Sequence, residues 1–95
     1  MQKPQELAAL EHLQAISGLS WSEFARVLGK SRTWFARILR FGLQAHFTVN
    51  QQAILVRAGA NPEFFHSAHA SILQQGFTIE LFQSNMIALM KAAAQ

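Results

Sequence analysis

Apolar residues recur at three- and four-residue intervals along most of the chain, and Gly18, Gly29, Gly42, Gly59 and Gly76 interrupt them where helix stops belong. The pattern predicts six short helices. The first runs from about Pro4 to Ser17, aligns Leu7, Leu10, Leu13 and Ile16 in one stripe, and tolerates Pro4 in its opening turn. A capping box, Ser20-Trp21-Ser22-Glu23, opens the second, with Leu19 and Phe24 placed as a hydrophobic staple; this helix ends at Leu28. Gly29-Lys30 then forms a corner, and Ser31 caps a third helix that reaches about Phe41. A second capping box, Thr48-Val49-Asn50-Gln51, starts a fourth helix that continues to Gly59, after a connection over residues 43–47. Asn61-Pro62 begins a fifth that closes near Gly76. Thr78 caps a sixth, in which Ile79, Phe82, Met86, Leu89, Met90 and Ala93 recur at helical spacing.

Sustained period-two alternation, hairpin dipeptides and long repeats are all absent from the sequence. The expected fold is all-α, a compact bundle of five to six short helices forming one domain over residues 1–95. A chain of 95 residues with 51% hydrophobic and 14% charged positions holds enough apolar material for one core and is too hydrophobic for a disordered segment. Phe64 and Phe65, adjacent on the fifth helix, are not expected to point inward together.

The chemistry of the chain narrows its function by exclusion. With no cysteine there is no disulfide framework, thiolate zinc site or cysteine nucleophile. His12, His46, His66 and His69 include one i, i+3 pair, His66 with His69, but only Glu63 lies near it as a carboxylate, so the histidines read as polar helix positions rather than metal ligands. Aspartate is absent, no serine stands in a Gly-x-Ser-x-Gly context, and Gly29-Lys30-Ser31 lacks the upstream glycine of a phosphate-binding loop. Neither catalysis nor a cofactor is expected. No apolar run approaches membrane-spanning length and Met1-Gln2-Lys3-Pro4 opens no signal peptide, which makes a soluble, cytoplasmic protein the expectation.

The net charge of +3 hides a strong asymmetry. Residues 24–62 hold Arg26, Lys30, Arg32, Arg37, Arg40 and Arg57 and no acid, whereas the acidic residues Glu6, Glu11, Glu23, Glu63 and Glu80 all lie outside. Such local density attracts a polyanion. Around Gly29 the sequence also suits two short helices crossing steeply: Ala25 is small where they touch, and Gly29 accepts the positive φ of the corner. Phe24 and Leu28 face inward from the first helix, and Phe35, Ile38 and Leu39 from the second, with Trp34 favoured as a packing residue. Arg32, Thr33, Ala36, Arg37 and Arg40 are left outward.

Residues 21–40 thereby resemble the helix-turn-helix of phage repressor and Cro-like regulators, with Ala25, Gly29, Phe35 and Ile38 at its small, turn and apolar positions. Gly29-Lys30-Ser31-Arg32 followed by Ile38-Leu39-Arg40 is also similar, more loosely, to the helix-turn-helix of ParB- and KorB-like plasmid proteins. Two positions depart from the repressor pattern: Lys30 stands where an apolar residue is common, and Trp21 where many have a polar group on phosphate. The resemblance implies that the third helix enters the major groove of double-stranded DNA. Arg32, Thr33, Ala36 and Arg37 would then meet base edges, and Arg26, Lys30, Ser31 and Arg40 phosphates. It implies a transcriptional repressor that occludes a promoter as a homodimer on an inverted repeat, as phage and plasmid regulators do. The helix at about 78–93 is the candidate dimerisation element, through Phe82, Met86, Leu89 and Met90, although a core role serves it equally. A protein-interaction or inhibitor module on the same scaffold, or a plasmid-partition adaptor, is the alternative.

Overall fold

The computed structural model describes residues 5–42 and 49–93. Within them lie α1 (Gln5–Ser17), α2 (Trp21–Val27), α3 (Trp34–Phe41), α4 (Val49–Ala58), a 3-10 turn (Pro62–Phe65) and α5 (Ile79–Ala93). The fold is all-α, and the only strand-like feature among the described residues is an isolated antiparallel bridge between Ala60 and Leu73. Pro4, Thr48 and the connection 43–47 lie outside the described residues.

The stripe of α1 buries as its spacing requires: Leu10 and Leu13 are fully enclosed, with Leu7 and Ile16 packed at the margin. At α2 the capping box forms in both directions, the Ser20 hydroxyl accepting from the Glu23 N–H at 3.2 Å and the Glu23 carboxylate from the Ser20 N–H at 2.9 Å. Leu19 and Phe24 are both buried, which completes the staple. The helix ends in a Schellman motif around Gly29, whose φ is +73°. Lys30 N–H donates to the Ala25 carbonyl at 2.9 Å and Gly29 N–H to that of Arg26 at 3.0 Å.

Four expectations are corrected at the level of the fold. The third helix begins at Trp34, not after a Ser31 cap. Trp34 N–H donates to the Ser31 carbonyl at 3.0 Å, and the Ser31 hydroxyl lies 3.3 Å from that of Thr33, so a local turn consumes the residues that a cap at Ser31 would have launched into helix. The fifth helix shrinks to the 3-10 turn Pro62–Phe65. Beyond it the chain is pinned in extended pairing, with Asn61 N–H on the Ile72 carbonyl at 3.0 Å and Gln74 N–H on that of Gly59 at 2.8 Å. That turn also buries Phe64 and Phe65 together: Phe65 is fully enclosed, and Phe64 sits edge-on to His12 of α1, ring centroids 5.8 Å apart. The fourth concerns the dimer seam, for which a core role is the equal alternative. Phe82 and Met86 have no exposed surface, because α5 lies against α1, α2 and α4 and fills the centre of the protomer. Leu89 and Met90 are partly buried against the same core. A chain this short needs these side chains inside.

Amide side chains tie the helix ends to that centre. Gln14 donates to the Leu19 carbonyl at 2.7 Å, Gln83 to that of Ile16 at 2.9 Å, and Asn85 to that of Ala58 at 2.9 Å. Gln74 reaches two carbonyls at the end of α4, Val56 at 2.8 Å and Ala60 at 3.0 Å. The carbonyls of Ile16 and Ala58, in the last turns of α1 and α4, thereby gain donors. The framework carrying α2 and α3 is thus anchored from several directions.

Candidate nucleic-acid interface

The orientation of α3 follows from two buried residues one turn apart. Trp34 and Ile38 are 2% and 1% exposed, and they press one side of this eight-residue helix into the core. Phe35, beside them, lies face to face with Trp21 of α2, ring centroids 3.5 Å apart and planes at 11°. Trp21 also meets Phe24 edge-on at 5.6 Å. The residue that departs from the repressor pattern at the start of α2 is therefore an inter-helix packing group. With Trp34, Ile38 and Phe35 engaged, Ala36, Arg37 and Arg40 turn to solvent, and all three are exposed.

Arg32 and Thr33 are exposed too, but the late start of α3 puts them in the turn that precedes it. Arg32 there joins a different group. It lines a cleft of about 440 Å³ with Ser22 and Arg26 of α2 and with Lys30 and Ser31 of the turn. The cleft brings three cationic side chains and two hydroxyls together, a donor set suited to phosphate oxygens. Among the described residues no ion pair fixes Lys30, Arg32 or Arg37. Glu23 is the nearest acid in sequence and is occupied by the cap. Its carboxyl is held below the usual carboxylate range by the Ser20 backbone N–H, then by the Ser20 hydroxyl, and last by the charge of Arg26. Arg40, at the far end of α3, extends over the ring of Phe41, 5.3 Å from its centroid.

The expected site residues therefore fall into two neighbouring groups. Arg26, Lys30, Ser31 and Arg32 share the cleft; Ala36, Arg37 and Arg40 share the helix face, and Thr33 stands between. Ser22 joins the first group without having been expected there, although its place one turn before Arg26 on α2 is a legible sign. Leu39, expected inside, is 58% exposed. Trp34 packs inward as expected, and its indole N–H is buried with no hydrogen-bond acceptor among the described residues. His66 and His69 are exposed, and no cluster of metal-binding side chains occurs among the described residues. No described helix is long and apolar enough to cross a membrane.

No family model, curated protein or solved structure matches this chain.

Proposed function

We propose that this protein binds double-stranded DNA through α3 and the cleft beside it, and regulates transcription by occupying its site. One arrangement carries the reading: a short helix anchored by Trp34 and Ile38 presents Arg37 and Arg40 outward, directly beside a cleft that gathers Arg26, Lys30 and Arg32. Such a helix is narrow enough for the major groove. The cleft then meets the sugar-phosphate backbone along the groove edge, and Arg37 reaches base edges, where a guanidinium grips guanine O6 and N7 by two parallel hydrogen bonds. In this reading Arg32 moves from the base-contacting group to the phosphate-contacting one.

Repression by occlusion suits the chain, since binding at a promoter needs no second chemistry. One α3 reads few base pairs, so a two-fold pair on an inverted repeat, with α3 helices about 34 Å apart, extends the site. Phe82 and Met86 are engaged in the core, so such a pair draws on other surface: Ile79, Leu81 and Ile87 are the large apolar side chains that α5 exposes. Selecting bound duplexes from a random pool at low salt tests the reading. Recovered inverted half-sites about one helical turn apart support it, and failure to enrich any duplex refutes it.

A further inference from the structure

The exposed side of α3 is not uniformly cationic. Leu39 is 58% exposed, and Ala36, three residues earlier and therefore on the same side of the helix, is exposed as well. We propose that Leu39 and Ala36 form an apolar strip that reads the C5 methyl group of thymine, making Leu39 a specificity-determining residue. The proposal rests on the DNA-binding reading given above and adds the base class to it.

The argument is one of complementarity. On the helical wheel the strip is bordered on one side by Arg40 and Arg37, and the cleft of Arg26, Lys30 and Arg32 opens ahead of the helix. No acid occurs anywhere from residue 24 to residue 62, so the face suits the polyanion of the reading above. An occupant that also offers an apolar group would bury Leu39, which gains nothing from the arginines beside it. On the major-groove edge of DNA, the thymine methyl is the apolar feature. Leucine at this position cannot serve the core in its place: Trp34 and Ile38 already fill the inward side, and Phe35 with Trp21 closes the flank. The expected target thus sets thymine within a step or two of the guanine gripped by Arg37.

The test uses the full chain and the duplex recovered by selection. Each thymine is replaced in turn by deoxyuridine, which removes only the methyl group, and affinity is followed by fluorescence anisotropy. Burial of one methyl corresponds to a loss of about fourfold per half-site at the position read by Leu39. In L39A the same replacement costs clearly less, leaving only the share of Ala36, and an unchanged thermal midpoint shows that this exposed position leaves the fold intact. Equal affinity for thymine and deoxyuridine at every position, or a selected site without thymine, overturns the proposal while the DNA-binding reading stands. Dimerisation without DNA that L39A abolishes also overturns it, by assigning Leu39 to a second copy. If no duplex is bound at all, the DNA-binding reading itself falls, and this inference with it.

Discussion

Trp21 and Phe35 lie flat against each other, centroids 3.5 Å apart, and this stack couples the first turn of α2 to the first turn of α3. The direction in which Arg37 points depends on the rotation of α3, and that rotation is set by Trp34 and Ile38 from below and by this stack from the side. Trp21→Ala is expected to destabilise the protein by less than the ~3–5 kcal/mol typical of a fully buried ring, since Trp21 is only half-buried. It should also weaken DNA binding at temperatures where the variant remains folded. Trp21→Phe keeps a ring on Phe35 and should restore most of both. Urea denaturation and anisotropy titrations on the two variants check this.

Reversal of charge on the two sides of the interface separates DNA binding from stability. Arg32 and Arg37 are exposed and unpaired by any described acid, so R32E/R37E should leave the stability within about 0.5 kcal/mol of the parent. Duplex binding should vanish. In the proposed dimer on DNA, two protomers each neutralising roughly three phosphates predict a slope of about −5 for log affinity against log salt. Replacing Arg26 or Lys30 alone by alanine should make that slope shallower by about 1 for each phosphate left without its cation. A protein-interaction module would instead keep its partner in R32E/R37E if binding ran through the apolar surface of α5.

Gly59 and Gly29 both adopt positive φ, +130° and +73°, yet they should differ in tolerance to alanine. A Cβ at Gly29 meets nothing within 4 Å, so Gly29→Ala carries only the left-handed backbone penalty, about 1–2 kcal/mol. A Cβ at Gly59 would stand 2.5 Å from the Phe77 ring. Relief requires Phe77 to leave the end of α4, which is also where Gln74 binds the Val56 and Ala60 carbonyls. Gly59→Ala is expected to be clearly the more damaging of the two by thermal unfolding.

Glu23 links the α2 cap to pH. Its carboxyl titrates below its ordinary value of 4.5 in the folded protein, chiefly because the Ser20 N–H donates to the ionised form. The sign follows from that direction: its contribution to stability is fully present above the ordinary value and is lost as pH falls through the depressed one. Glu23→Gln keeps an acceptor for the Ser20 N–H but has no charge to lose, so the difference in stability between parent and variant should shrink as the solution is acidified through this range. Ser20→Ala removes the other half of the box and should cost about 1 kcal/mol at neutral pH. Thermal unfolding of the three proteins across an acid series measures both effects.

Local signals were strong enough to be read directly from the residues wherever neighbours in sequence are also neighbours in space. The all-α class, the box and staple of α2, the Gly29 corner, the α1 stripe and the outward arginines of 26–40 belong to that set, because each depends on contacts within a turn or two of helix. The start of α3, the unwinding after Phe65, the enclosure of Phe82 and Met86, and the outward turn of Leu39 were decided by the assembled molecule. Those outcomes depend on competition between distant groups. Ile72 and Gln74 capture backbone partners at Asn61 and Gly59 that helix formation alone cannot offer, and α5 fills a space that α1, α2 and α4 jointly create. Leu39 follows the same logic, since Trp34, Ile38 and the Trp21–Phe35 stack together cover only one side of an amphipathic helix, and the leucine falls just beyond its edge.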